Sequence, residues 1–192
     1  EEICRQSGVA GNGTIGRGFT GKVVCQQARS ADLIVLGHQP HQGNGSCHRG
    51  SILEEVIRKA PTPVLVTTGT ARQVRGVLLT FNGTKADSRA LHLAARFSQS
   101  HGLPLTILVA AHQLQPYLKK TLWLENYLKP YLIETKFLSA DGHLTQTIIG
   151  VANTEPSDII FAGSYQHNSL VTAILGSTLD DLIDRAPCPV LI

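Results

Sequence analysis

Long apolar runs, basic tracts and regularly spaced cysteines are all missing from these 192 residues, and each absence removes a class of function. No apolar stretch approaches the roughly 20 residues that span a bilayer, and the start carries no signal-like pattern, so no membrane partner is expected. The formal charge is only +3, and no Lys/Arg run exceeds Lys119-Lys120, which leaves no basic patch for nucleic acid. Cys4, Cys25, Cys47 and Cys188 have no metal-binding or redox spacing among themselves. Four scattered thiols suit a reducing cytosol, so a cytoplasmic location is the expectation. At this length the chain can bury one good core or two small ones.

What the chain does contain is a repeat. Residues 31–66, ADLIVLGHQPHQGNGSCHRGSILEEVIRKAPTPVLV, recur without a gap as residues 157–192, SDIIFAGSYQHNSLVTAILGSTLDDLIDRAPCPVLI. Gly37 and Gly163, Gly50 and Gly176, and Pro63 and Pro189 are each 126 positions apart. Of 36 aligned positions 13 are identical, where average residue usage gives roughly two or three. Such a repeat fixes architecture before any other signal, and here it means a tandem duplication.

Each copy reads as strand, glycine loop, helix, strand. Leu33-Ile-Val-Leu36 and Ile159-Ile-Phe-Ala162 are unbroken apolar runs that end in glycine, as parallel strands buried on both faces do. Ser51 and Ser177 follow glycine, with Glu54 and Asp180 three residues later, which is the capping-box pattern of a helix start. Pro61 and Pro187 end those helices, and Val64–Val66 and Val190–Ile192 are the next strands. Between the copies, Gly69–Arg75 is a polar connection. Val77–Phe81 is then a strand, Asn82-Gly83-Thr84 its turn, and Lys85–Ser100 an amphipathic helix that ends at His101-Gly102. Leu105–Ala110 and Ile133–Leu138 are further strands. A helix with Pro116 in its first turn stops near Pro130, and another covers Leu144–Ala152. Before the first copy, Lys22–Ser30 reads as a short helix. Alternation of strands and helices at these lengths implies a parallel sheet.

Two local patterns tempt and do not persuade. Gly11–Gly16 and Gly16–Gly21 both fit G-x-G-x-x-G, and Gly16 to Lys22 begins a Walker A match, but Val23 stands where Ser or Thr should hold magnesium. Neither follows an apolar strand, so this stretch reads as a flexible connection. His38, His41, Cys47 and His48 share one loop, yet only His41 has a counterpart, His167, in the second copy. A solvated histidine-rich loop explains them without a metal. No Ser-His-Asp, Cys-His or paired-carboxylate arrangement stands out, and no catalytic residue is assigned.

The acidic ADLIVxG strand, the glycine loop and the run GSxxExVxxxAPxPVLV resemble the end of the universal stress protein domain. In the second copy the resemblance extends back to about Arg75. It implies a doubly wound α/β domain with a five-stranded parallel sheet, of the adenine nucleotide alpha hydrolase type, present as two tandem repeats. It divides the chain into residues 1–69, the carboxyl-terminal part of a first domain; 70–75, a linker; and 76–192, a second domain. By the same offset the first domain would begin about 50 residues before Glu1, which makes it a remnant. Many members bind ATP on the glycine loop, and tandem members pair their domains. Pairing would cover the apolar terminal strands Val64–Thr67 and Val190–Ile192, which are otherwise bare sheet edges. The incomplete first domain adds the expectation of a homo-oligomer.

In an open α/β sheet, ligands bind beyond the carboxyl ends of the strands where strand order reverses. Asn82-Gly83-Thr84 and the loop from Gly163 to Ser177 should line that crevice in the second domain. Glycine gives a phosphate unhindered N–H groups, and the helix start at Gly176-Ser177 adds favourable dipoles. The family pattern is G-x-x-G, nine residues, G-[S/T]. Gly163, Gly176 and Ser177 fit it, as do Gly37, Gly50 and Ser51 in the first copy. The second glycine is replaced in both copies, by Gln166 and by Pro40, and the acidic residue after the first strand is Asn82. The resemblance therefore implies a stress-associated regulatory protein with degenerate sites for ATP or another adenine nucleotide with Mg. A functional ATP-binding form with slow hydrolysis, or an interaction module of a larger protein, are the alternatives. If the two departures weaken binding, Gln166→Gly and Asn82→Asp should each strengthen it about tenfold or more, a gain that isothermal titration with ATP and magnesium reads directly.

Overall fold

The computed structural model describes residues 2–38, 51–68, 73–110, 113–140, 144–163, 179 and 181–192. Helix α1 covers Glu2–Gln6, and α2 covers Thr20–Gln27, prolonged by a 3-10 turn over Ala28–Ser30. Strand β1, Ile34–His38, precedes α3, Ser51–Lys59, and β2, Val64–Thr68. Then come β3, Val77–Phe81; α4, Lys85–His101; β4, Leu105–Ala110; and α5, Leu114–Leu128. Strand β5, Thr135–Ala140, helix α6, Leu144–Thr154, and strand β6, Ile159–Phe161, lead to helical residues 181–185 and to β7, Val190–Leu191.

These strands form one seven-stranded sheet in the order β1-β2-β7-β6-β3-β4-β5. Every neighbouring pair is parallel except β2 and β7, where Leu65 faces Leu191 and Val66 faces Val190 in antiparallel register. The five strands β7-β6-β3-β4-β5 are all parallel, as the alternation implied, and form the doubly wound five-stranded arrangement that the resemblance implied. The repeat is equally plain in the backbone. Ile34 pairs with Val64 and Ile160 with Val190, and the N–H groups of Ile34 and Ile160 donate to the carbonyls of Pro63 and Pro189, each at 2.9 Å. Because β2 and β7 run in opposite directions, the carboxyl ends of β1 and β2 face away from those of the other five strands.

Helices cover the two faces unequally. On one face α2, α3, α6 and the 179–185 segment bury Val56, Val64, Val66, Leu78, Ile148, Ile160, Leu182 and Val190 in a core that runs across the β2–β7 seam. On the other face α4 and α5 cover β3, β4 and β6, burying Leu79, Leu91, Ile107, Leu124 and Phe161. Val35 of β1 lies on this second face and is largely exposed. An aromatic row, Phe81, Trp123, Tyr127 and Tyr131, joins the end of β3 to α5, with ring centroids 5.5–5.9 Å apart.

Some boundaries differ from expectation, each for a physical reason. The strand expected over Ile133–Leu138 runs from Thr135 to Ala140, since β4 sets its register by pairing Leu105 with Thr135 and Ala110 with Ala140. Ile133 packs against the core without joining the ladder. The helix expected from Lys22 begins at Thr20. Residues 69–72 of the connection lie outside the described residues, but its end is pinned rather than loose. The Arg75 backbone N–H and Nε both donate to Asp158 Oδ2 at 3.0 Å, and the bond lifts the guanidinium pKa above its ordinary value. Beside it, Gly76 accepts the Asp158 N–H at 3.0 Å, and a Cβ on Gly76 would overlap the carbonyl oxygen of Pro156. Gly76→Ala should therefore cost about 1–3 kcal/mol through forced backbone shifts, read as a lower urea midpoint with an unchanged m-value.

Candidate functional site

Strand β3 is the pivot of the winding. The chain leaves it towards β4 and β5 on one side and returns to β6 and β7 on the other, so strand order reverses between β3 and β6. Asn82, Gly83 and Thr84 follow directly on β3, and Gly163 lies two residues beyond β6. The structure brings these four together at the carboxyl ends of the two strands.

The group that organises them is Asp87, in the first turn of α4. Its Oδ2 accepts the N–H of Asn82 at 3.1 Å and that of Thr84 at 2.9 Å, while Thr84 Oγ1 accepts the Asp87 N–H at 3.1 Å. The reciprocal Thr84–Asp87 pair is a capping box, and a carboxylate there also meets the positive end of the helix dipole. Gly83 bridges the turn at φ +95°, a conformation that side chains resist. On the other side, a Cβ at Gly163 would run into Asp87 Oδ1, the Asp87 amide and the carbonyl carbon of Ala86. Glycine is required at 163 because β6 passes hard against the start of α4, whatever else binds nearby. Asp87 itself is buried.

A cation completes the rim. Lys120 of α5 reaches over β4 and donates to the Ala110 carbonyl at 2.8 Å and to Asn82 Oδ1 at 3.3 Å. The Asn82 side chain is thereby held by a positive group, and two of the three N–H groups of its turn are held by Asp87. Sequence reasoning singled out neither residue. Asp87 was within reach, since Thr84-x-x-Asp87 is the same capping pattern noted at Ser177 and Asp180. Lys120 sits 38 positions from Asn82 on a different helix, and no local pattern announces it.

The other candidates divide between those described and those not. Gln166, Gly176 and Ser177 lie outside the described residues, as do Gly50, Pro40, His41, Cys47 and His48. Ser51 begins α3. Gly37 is the fourth residue of β1, and a Cβ built on it meets nothing within 4 Å, unlike its counterpart Gly163. Among the described residues nothing packs against Gly37 as Asp87 does against Gly163. His38 at the end of β1 places Nε2 3.0 Å from Asp184 Oδ1 on the 181–185 helix, a link between the two copies. Among the described residues no group of three or more His, Cys, Asp or Glu could hold a metal ion. No described helix is long and apolar enough to cross a membrane.

A model of the Universal stress protein family matches residues 3–68 and again residues 74–192. A universal stress protein of Synechocystis is 26% identical over 165 residues, covering 83% of this chain and 57% of that protein. One of Thermus aquaticus is 26% identical over 132 residues, covering 60% of this chain and 96% of that protein. Among solved structures, a universal stress protein from Archaeoglobus fulgidus superposes with a TM-score of 0.75 at 23% identity, covering 89% of this chain and 63% of that one. A universal stress protein in complex with cAMP superposes with a TM-score of 0.51 at 18% identity, over 62% of this chain and 94% of that one. At such identities the structural likeness speaks for the fold alone. The chain spans a little over half the length of the Synechocystis relative.

If Asp87 builds the turn, Asp87→Ala should free the amides of Asn82 and Thr84 for hydrogen exchange and lower stability by about 1–2 kcal/mol, the usual cost of a lost cap. Asn82→Ala, which removes only a rim side chain, should stay within about 0.5 kcal/mol of the parent. Exchange protection read residue by residue, with chemical denaturation alongside, separates the two.

Proposed function

The chain belongs to the universal stress protein family, and from that premise we propose that it is a cytosolic, stress-associated regulatory protein that pairs its two domains and holds an adenine nucleotide weakly, as a ligand. The proposed division at residues 70–75 overlaps the gap at residues 69–73 between the two matched segments, and the antiparallel β2–β7 ladder supports the pairing. The observation that carries the nucleotide reading is the meeting of the Asn82–Thr84 turn with Gly163 where strand order reverses. That a universal stress protein of the same fold is known in complex with cAMP agrees with an adenine nucleotide as the class of ligand.

Weak binding follows from how the rim groups are already engaged. Asp87 Oδ2 accepts two backbone N–H groups and Oδ1 is packed against Gly163, so the carboxylate has little left to offer magnesium. Of the turn's amides, Gly83 alone has no partner among the described residues. Asn82 presents a carbonyl oxygen that Lys120 already holds. Such a site binds through shape and a few dipoles, and among the described residues none is placed to activate a water for hydrolysis. The candidate nucleotide contacts are Asn82, Gly83, Thr84 and Gly163, with Gln166, Gly176 and Ser177 from the following loop. In the first domain the candidates are Gly37, Gly50 and Ser51, and among the described residues no turn faces Gly37.

Lys120 changes what Asn82→Asp should do. The new carboxylate would pair with the ammonium 3.3 Å away, and part of its gain for a nucleotide would be spent on that pair. Gln166→Gly should strengthen ATP binding about tenfold. Asn82→Asp should gain less in the parent than in a Lys120→Gln background. Isothermal titration with ATP and magnesium across these variants is the measurement. Micromolar binding by the parent would sink the degenerate-site reading, and a complete lack of binding in every variant would sink the nucleotide reading.

A further inference from the structure

Magnesium, which the family resemblance brings with ATP, is usually held by one or two carboxylates together with phosphate oxygens and waters. The carboxyl ends of β3, β4 and β6 offer no such carboxylate. The connections that leave these ends, residues 82–84, 111–113 and 162–178, contain no Asp or Glu. The acids that follow, Asp87 and Asp180, each stand three residues after the Thr or Ser of a capping pattern, Thr84 and Ser177. Asp87 is buried, with Oδ2 accepting the N–H groups of Asn82 and Thr84 and Oδ1 packed beside Gly163. Asn82 brings a neutral oxygen where the family pattern has an acid. This donor set does not fit a magnesium ion.

A positive side chain stands there instead. Lys120 of α5 is half-buried, and its Nζ donates to the Ala110 carbonyl at the end of β4 and to Asn82 Oδ1 after the end of β3, at 2.8 and 3.3 Å. Both acceptors are neutral, and Lys120 has no carboxylate partner among the described residues. An ammonium carries three N–H donors, so one is unspent. It lies beside the exposed turn, where a Cβ built on Gly83 would be 3.9 Å from Lys120 Cε. The Gly83 N–H is the turn's other unspent donor among the described residues. Two free donors, one of them charged, complement an anion and oppose a cation.

Building on the nucleotide reading of this crevice, we propose that Lys120 takes the place of the divalent cation. The nucleotide binds as its metal-free anion, with phosphate charge met by the Lys120 ammonium and the Gly83 N–H. An ammonium held by two neutral oxygens keeps its charge for the ligand, and a metal ion carried in with the phosphates is repelled by it. Lys120 is thus the residue that sets which form of the nucleotide the site accepts.

Isothermal titration of the intact chain with ATP in excess EDTA, and with ATP plus magnesium at equal ionic strength, tests this. The metal-free affinity should equal or exceed the affinity with magnesium. Lys120→Gln should weaken metal-free ATP binding about tenfold, as loss of one charge-assisted hydrogen bond does, and leave adenosine binding unchanged. Lys120→Arg, which keeps the charge, should retain ATP binding, with urea midpoints measured alongside to show that both variants fold. A tenfold gain from magnesium in the parent would overturn the role of Lys120 and leave the nucleotide reading standing. Equal ATP binding by the parent and Lys120→Gln would do the same, as would adenosine binding as tightly as ATP. If neither ATP nor adenosine binds the parent under either condition, or if inorganic triphosphate binds as tightly as ATP, the nucleotide reading falls and the proposal with it.

Discussion

The antiparallel pairing of β2 with β7 is the constraint on which the rest of this molecule depends. The N–H of Val64 donates to the Ile192 carbonyl, and the N–H of Ile192 donates back to Val64, each at 2.9 Å. Leu65 and Leu191, equivalent positions of the repeat, stand directly opposite each other, so the seam has the local symmetry of a two-fold axis. Without this ladder both strands would be short apolar edges. With it, β1 and β2 become the continuation of a five-stranded sheet, and one buried layer passes unbroken from Val56 and Val64 to Val190 and Leu182. Through this seam β1 and β2 share one sheet and one buried layer with the second copy.

Among the described residues the opposite face is bare over β1, where Val35 is largely exposed. In the second copy one face is closed by α3's counterpart and the other by α4, and Phe161 is buried between β3 and α4. In the first copy α2 and α3 close one face only. The motif ADLIVLG is the same kind of strand in both places, yet its residues at positions 33 and 35 are half in water while those at 159 and 161 are not. A buried parallel strand and an exposed edge strand can share one apolar sequence, because burial is decided by neighbours the strand does not encode.

The same limit governs how much was legible from sequence. Strands with a strong local signature fell where the residues put them, as β3 at Val77–Phe81 and β4 at Leu105–Ala110 did. The α4 helix was equally readable, with Thr84 before it and Gly102 after it. Strand β5 slid by two residues because its position is set by hydrogen bonds to β4, and the apolar run Leu132-Ile133 gives no sign of where that ladder starts. At the site, Gly163 and the Asn82–Thr84 turn were foreseen as neighbours. The hydrogen bond from Lys120 to Asn82 was not, since it joins α5 to the turn after β3 through space. Asp87 lay between these cases: its spacing from Thr84 was on the page, but a capping pattern alone does not reveal that the same carboxylate also holds Asn82.

Gly163 and Gly37 show why a motif glycine needs a structural reason before it is given a chemical one. Both occupy the first glycine of the same loop pattern. At 163 any side chain would strike Asp87, so the residue is explained by packing between β6 and α4 with no ligand at all. At 37 the space is open, and packing explains nothing. The packing reason and the ligand reason are not rivals at 163, however. The close approach that forbids a side chain there also brings the end of β6 against the turn after β3, at the point where strand order reverses. Asp87 ties the two roles together. It caps α4, fixes the turn through the amides of Asn82 and Thr84, and fills the space beside Gly163.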